Sequence, residues 1–384
     1  MVYLDYAATT PVDVRVFDAM RPYFSDSFGN PSSVHRTGQL AEAAVDKAHE
    51  IIAAVLNCHP DEIIITSGGS ESDNLALRGA AIAAREKTGA NRILTSKTEH
   101  PAISKTAEQL EKYYGFQVEW LAADENGEIK PDILENAISD KTAIVSIMYA
   151  NNEIGTINPI RKIADICHRH GIVFHTDAVQ AAAYLSVNVS TLGVDLMSIG
   201  AHKFYGPKGI GALYVRNGTP IIPTQTGGGQ ENGLRAGTQN VPSIVGFAEA
   251  LRLAETEREV RSAHVKPMRD RLIGSILETI PDSRLTGHLE SRLPNHASFA
   301  FKGVDGNFLL TLLDTAGFAC SSGSACKTGN PEPSEVMNAI GLTREWGLGS
   351  LRITLGAGTK PEHIELFLNT LPKLIINARN LARN

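Results

Sequence analysis

Six short stretches of this chain hold residue types that could do chemistry. Ser67-Gly-Gly-Ser-Glu-Ser-Asp-Asn74 is a glycine loop that opens a helical pattern. Main-chain N–H groups at such a start bind an anion such as phosphate. No Gly-Lys-Ser/Thr follows, so it is not a P-loop, and its glycine spacing does not fit a dinucleotide fingerprint. An ordinary strand-to-helix turn is the plain alternative. Thr98-Glu-His100 offers an imidazole, and Asn151-Asn152 two amides. His175-Thr-Asp177-Ala-Val-Gln180 offers an acid and an amide, and Gly200-Ala-His202-Lys203 an imidazole beside an amine. An Asp that ends a buried strand is costly unless paired. A lysine near a sheet core has its pKa pulled down and becomes nucleophilic. Phe318-Ala-Cys320-Ser-Ser-Gly-Ser-Ala-Cys326 ends in a thiol beside Lys327, whose charge favours the thiolate. Small residues before Cys326, and Lys327-Thr-Gly-Asn-Pro-Glu-Pro333 after it, predict a flexible exposed loop that carries a thiol to a site and away again.

The elements between these stretches bring most of them together. Apolar, largely β-branched runs read as buried strands at Glu62–Thr66, Ile93–Thr95, Ala143–Met148, Ile172–Thr176, Asp195–Ile199 and Gly211–Val215. Helix-period segments separate them, most clearly Ala41–Leu56 and Pro159–His170, with Gly171 as a C-cap. The pattern predicts an α/β fold: a mostly parallel sheet flanked by helices. Ligands in such folds sit beyond the C-terminal strand ends, and the first five stretches all follow strand ends. A lysine, an acid, a histidine, an amide and an anion loop at one sheet edge suit pyridoxal phosphate. The amine condenses with the aldehyde, the acid holds the ring-nitrogen proton, and the loop takes the phosphate.

The texture changes near residue 250. Leu251–Ile280 reads as a long charged helix that Pro267 should kink or divide. Short strands (Ala297–Phe301, Ser350–Thr354) and a closing helix from Pro361 follow. These place a large domain over 14–255 and a smaller α+β C-terminal domain over 256–384, joined by the extended residues 1–13. The chain has 384 residues, 42% hydrophobic and 20% charged, enough for a sizeable core. The net charge of −6 argues against a nucleic-acid partner. No apolar run suits a membrane span, and the start lacks a signal-peptide pattern. Four cysteines are too few for a disulfide scaffold, so a reduced, cytoplasmic protein is expected.

Taken together the motifs resemble the class V aminotransferase family of pyridoxal-phosphate enzymes, and within it the NifS/IscS-type cysteine desulfurases. The resemblance spans essentially the whole chain. It rests on Leu4-Asp-Tyr-Ala-Ala-Thr-Thr10, Phe28-Gly-Asn-Pro31, Thr66-Ser-Gly with Glu71-Ser-Asp-Asn74, Thr98-Glu-His100, Asn151-Asn-Glu-Ile-Gly155, His175-Thr-Asp177-Ala-Val-Gln180, Ala201-His-Lys203, Gly227-Gly-Gly-Gln-Glu231 and Arg235-Ala-Gly-Thr-Gln239. It implies the PLP-dependent transferase fold type I. It also implies conversion of L-cysteine to L-alanine, with sulfur left as a persulfide on Cys326. Ser-Ser-Gly-Ser-Ala-Cys326 resembles the group I loop, not the shorter Arg-x-Gly-His-His-Cys pattern of group II.

By this resemblance Lys203 is the Schiff-base lysine and the base that moves the Cα proton. Asp177 pairs with the ring nitrogen, and His100 stacks on the ring and takes the substrate thiol proton. Gln180 bonds the ring hydroxyl, and Asn152 sits near the ring and the substrate carboxylate. Gly69, Ser70 and His202 hold the phosphate. Thr238 reaches the phosphate of a neighbouring subunit, which implies a homodimer. Arg352 clamps the substrate α-carboxylate, as a guanidinium fork suits. The family usually has a serine at position 200, where Gly200 stands, so that phosphate contact is open. The resemblance implies no metal of the protein's own, though the Cys326 persulfide would meet a partner's iron–sulfur cluster. The sulfur acceptor is an iron–sulfur scaffold or another protein, and housekeeping members carry a longer tail than Leu381–Asn384. An aminotransferase or a selenocysteine lyase of the same family is the alternative; a silent partner protein would lack Lys203, Asp177 or Cys326. Of the other cysteines, Cys58 reads as a turn residue and Cys320 as packed, and Cys167-His168-Arg-His170 as a solvated helix end in preference to a metal site.

Overall fold

The computed structural model describes residues 1–323 and 332–382. Its strands are β1 (Val2–Tyr3), β2 (Ile63–Thr66), β3 (Arg92–Ser96), β4 (Gln117–Leu121), β5 (Thr142–Ser146), β6 (Val173–Asp177), β7 (Leu196–Gly200), β8 (Gly211–Val215), β9 (Ser283–Leu285), β10 (His296–Phe301), β11 (Phe318–Ala319) and β12 (Ser350–Thr354). Seven of them form one sheet in the order β2-β8-β7-β6-β5-β3-β4. Only β8 runs against its neighbours, so the C-terminal ends of β2, β3, β5, β6 and β7 share an edge. Helices cover both faces, which is why β2, β3 and β5 to β8 read as apolar runs; edge strand β4 (Gln-Val-Glu-Trp-Leu) is half-exposed and carries no such run.

The Gly69–Thr88 helix lays Leu75, Ala76 and Ala80 on one face, against Ile64, Ile93, Ile144 and Leu213. The Arg36–Leu56, Ile160–Arg169 and Val241–Thr256 helices build the other face, with Ile52, Ile163, Phe174, Ile199 and Phe247 in one core. Truncating one of these, such as fully buried Phe174 to Ala, would cost about 3–5 kcal/mol. Gly171 takes φ +67 just past the Ile160–Arg169 helix and returns its N–H to His168 O at 3.1 Å.

The long helical region differs from the expectation. It breaks at Glu257, between the Val241–Thr256 and Arg258–Thr279 helices, and Pro267 lies inside the second without dividing it. At Glu257 the backbone leaves helical geometry (φ −104°, ψ 4°), while its N–H still finds Leu253 O and Glu255 O. The turn therefore leaves no donor stranded. The Arg258–Thr279 helix then packs with the Pro361–Ala382 helix beside a three-stranded antiparallel sheet, β12-β10-β9.

The N-terminal segment links the seven-stranded and three-stranded sheets and forms, with β11, a third sheet of two strands. β1 pairs with β11 in parallel, and Thr354 of β12 receives Ala7 N–H on its hydroxyl at 2.9 Å. Further on, Thr10 N–H reaches His202 O at 3.0 Å. Residues 4–10 thus run from the smaller sheet to the edge where Lys203 sits.

Candidate active site

A cavity of ≈ 270 Å³ opens at that shared strand edge. Gly69, Ser70, His100, Asn152, Asp177, Gln180, His202, Lys203 and Arg352 all line it. Each arrives by a short path. Gly68, at φ +150, turns the chain out of β2 so that Gly69 and Ser70 form the first turn of a twenty-residue helix. The free N–H groups of that turn are donors that an anion could use. A Cβ on Gly69 would stand 2.5 Å from Val179 Cγ2, so the chain there has room only for glycine.

His100 caps the Pro101–Tyr114 helix, with Nδ1 accepting from Ala102 N–H at 3.1 Å. That bond occupies Nδ1 and leaves Nε2 as the ring nitrogen open to a partner. Burial, reinforced by the Lys203 charge, lowers the imidazole pKa against the pull of Asp177. Asp177 ends β6, and Oδ1 accepts from Val179 N–H at 2.8 Å. Burial raises this carboxyl despite His100, that N–H and Lys203. Lys203 follows β7 in a single turn; Nζ donates to Ala7 O at 2.6 Å and Ala8 O at 2.8 Å. Burial, then the Arg352 charge, brings its ammonium down to about 8. Gln180 Nε2 donates to the same Ala7 carbonyl at 2.9 Å. His202 packs Nδ1 against Thr9 Oγ1 at 3.2 Å, and burial pushes its imidazole down to about 4.

Arg352 comes from β12 on the smaller sheet. It is held by Asn152 O (2.9 Å from Nη1) and Asp5 Oδ1 (2.8 Å from Nη2). Its Nε is buried without a hydrogen-bond partner among the described residues. Gly200 lies just behind the cavity; a Cβ there would come 3.3 Å from Gly69 N and 3.5 Å from Val179 Cγ1. Thr238 is exposed and lies outside the lining of its own chain's cavity. Cys326 lies outside the described residues. Its flanks line a second cavity of ≈ 500 Å³, which shares Asn152 and Arg352 with the first.

Several contributors escaped the reading of the sequence. Asp5 orients Arg352, and the Ala7 and Ala8 carbonyls hold Lys203. Asp73, one turn into the Gly69–Thr88 helix, lines the cavity, with Oδ1 buried 3.7 Å from His175 Nε2. Burial and the neighbouring Asp177 raise its carboxyl well above the usual range. Glu153 accepts from Ser334 Oγ at 2.6 Å, and burial pushes its carboxyl up to about 7. The motifs Leu4–Thr10, Glu71–Asn74 and Asn151–Gly155 contain Asp5, Asp73 and Glu153, but their spacing does not say which neighbours these acids meet. Cys167 corrects another expectation. It is wholly buried in the main core, so only His168 and His170 occupy the helix end, and His168 faces Asp195 at 3.2 Å. Cys320 packs against the same core, and burial raises its thiol.

The set fits pyridoxal phosphate. An amine near neutrality, a buried carboxyl, an imidazole and an amide surround a space that ends on a helix N-terminus, and Arg352 Nε, without a partner among the described residues, leaves polar capacity there for a guest.

Comparisons with known proteins agree. The family model described as aminotransferase class-V matches residues 2–367. A protein of Dictyoglomus turgidum named cysteine desulfurase IscS is 45% identical over 381 residues, covering 99% of this chain and 96% of its own. A solved structure described as a NifS-like protein superposes with a TM-score of 0.91 at 36% identity, covering 98% of this chain and 99% of its own. Another, described as SspA in complex with cysteine, gives 0.80 at 35% identity, covering 93% and 99%. The sheet order and flanking helices are those of the PLP-dependent transferase fold type I. No helix among the described residues is long and apolar enough to cross a membrane. From the match over nearly its full length, this chain belongs to the class-V aminotransferase family of pyridoxal-phosphate enzymes.

Proposed function

We propose that the protein is a cysteine desulfurase that converts L-cysteine to L-alanine and leaves the sulfur as a persulfide on Cys326. The observation that carries this reading is the meeting of Lys203, Asp177, His100 and Arg352 in one cavity, with the flanks of Cys326 at an adjoining one. Relatives named cysteine desulfurase, and a similar structure described with cysteine, support it.

Bound pyridoxal phosphate supplies an electron sink for bonds broken at Cα and Cβ of the substrate. Lys203 anchors it, Asp177 holds the ring-nitrogen proton, Gln180 meets the ring hydroxyl, and Gly69, Ser70 and His202 take the phosphate. Arg352 receives the substrate α-carboxylate beside Asn152. A fork already held on two sides loses little freedom on binding, so the substrate is oriented cheaply. Lys203, with an ammonium near 8, is partly neutral at physiological pH and exchanges the Cα proton at Nζ. His100 exchanges the thiol proton at Nε2. Cys326 Sγ then forms an S–S bond as the substrate C–S bond breaks. The substrate carbon skeleton keeps that electron pair, gains protons and leaves as alanine.

Three further elements belong to the same reading. Thr238, exposed on its own chain, serves the phosphate of a second copy in a homodimer. The persulfide passes to an iron–sulfur scaffold or another acceptor protein in the cytoplasm. Residues 14–255 act as the cofactor domain, and residues 1–13 with 256–384 as the smaller domain that brings Arg352 and Cys326 to it. Product analysis tests the whole. With L-cysteine and a reductant the parent should give equal alanine and sulfide, and Cys326→Ala should lose both. Sulfide release from Cys326→Ala at the parental rate, or a keto acid in place of alanine, would overturn the reading.

A further inference from the structure

Glu153 has no part in the chemistry above, yet it stands where three pieces of the site meet. It directly follows Asn152. Asn151 stiffens that turn: Oδ1 accepts from Glu153 N–H at 2.8 Å and Ile154 N–H at 2.9 Å, and Nδ2 donates to Thr98 O at 2.8 Å. The Asn152 carbonyl receives Arg352. The Glu153 side chain leaves in the other direction, and Oε2 accepts from Ser334 Oγ at 2.6 Å. Ser334 is itself fixed, capping the Glu335–Ala339 helix by accepting from Met337 N–H at 3.2 Å. Gly323 packs against the same point: a Cβ there would stand 2.5 Å from Glu153 Oε2 and 3.3 Å from Ser334 Oγ. Gly323 N–H is tied to Ser350 Oγ at 3.1 Å, two residues before Arg352.

Gly323 and Ser334 stand on either side of Cys326 in the chain. We infer that Glu153 is a positioning residue for sulfur transfer, holding Ser334, with Gly323 packed against its carboxylate, beside the turn that also holds Arg352. The inference rests on the reading of Cys326 as sulfur acceptor. Its physical content is entropic. A thiol borne between two anchored points searches a small volume, and one borne from slack points searches a large one. The anchor lies beside the α-carboxylate clamp, so it references the thiol to the substrate and not to the protein at large. Binding of cysteine, which needs Arg352 and the cofactor, does not require it.

The test uses the full-length, cofactor-loaded protein. Rapid mixing with L-cysteine gives two readouts: the change in cofactor absorbance, and single-turnover persulfide on Cys326 by mass spectrometry. In Glu153→Ala the persulfide rate should fall on the order of tenfold to a hundredfold, the scale of a misplaced reacting group. The cysteine dependence of the absorbance change should stay within about threefold, because uniform binding is untouched. Glu153→Gln keeps an oxygen that accepts from Ser334 and should recover most of the rate. Gly323→Ala drives a methyl between the partners with Glu153 intact; it should reproduce the loss and decides the matter should Glu153→Ala fail to fold. A parental persulfide rate in Glu153→Ala, an equal loss in both readouts, or Gln no better than Ala would overturn the inference. Cys326→Ala runs in parallel: alanine and sulfide at the parental rate there would overturn the underlying reading, and this inference with it.

Discussion

Arg352 Nη2 donates to Asp5 Oδ1 at 2.8 Å, joining the beginning of the chain to the last strand. Both side chains are mostly buried, and Ser321 Oγ donates to the other Asp5 oxygen at 2.7 Å. The pair neutralises a cation that would otherwise sit in a cleft facing Lys203. It also sets the direction of the guanidinium fork.

Removing the acid should therefore affect both stability and substrate binding. Asp5→Ala leaves a largely buried guanidinium uncompensated, at a cost of about 3 kcal/mol. KM for L-cysteine should rise about tenfold, the scale of one charge-assisted hydrogen bond, with kcat changing less. Asp5→Asn keeps an acceptor and should fall between. Thermal melts and steady-state kinetics check this; an unchanged KM in Asp5→Ala would show that Arg352 needs no orientation.

The amine of Lys203 gives a pH signature. Burial favours its neutral form, so the free amine appears at lower pH than for a lysine in water. Only that form condenses with an aldehyde. Incorporation of pyridoxal phosphate into apoprotein should accelerate about tenfold per pH unit below about 8 and level off above it. A rise that continues to pH 10 would mean that the burial of Lys203 is not felt by its ammonium.

Position 200 offers a gain of function. The backbone of Gly200 is extended (φ −130°, ψ 123°), which any residue adopts. A Cβ would approach Gly69 N at 3.3 Å, a contact relieved by a shift of a few tenths of an ångström. Gly200→Ser should fold normally and place a hydroxyl beside the first turn of the Gly69–Thr88 helix. One added hydrogen bond is worth about 1 kcal/mol, or roughly fivefold tighter cofactor binding. Equilibrium titration of the apoprotein measures it. Weaker binding would show that the glycine is required for space.

The readable part of this protein is the part governed by local rules. β-branched runs mark six strands of the large sheet, because strands buried on both faces have no polar side to interrupt them; the half-exposed edge strand β4, Gln117–Leu121, gives no such signal. Strands joined by crossover helices run parallel, so their C-terminal ends share one edge, and ligands sit there; Gly69, His100, Asn152, Asp177 and Lys203 follow such ends and belong to one site. Arg352 is legible only through resemblance, and Cys326 only as a thiol on a loop, since nothing in their spacing carries either to that edge.

What the tertiary structure alone decided are contacts between segments far apart in the chain. Asp5 meets Arg352, Ala7 meets Lys203, and Glu153 meets Ser334 across separations no periodicity encodes. The same holds for the break, which falls at Glu257 and not at the proline inside the second helix. Burial decided the charges as well. Asp73 and Asp177 are ordinary acids as letters; their raised carboxyls exist because the fold encloses them together, away from water. Residue types and order were enough to establish which chemistry is present, because those groups follow strand ends. Which group orients which required the third dimension, because orientation is a property of neighbours in space.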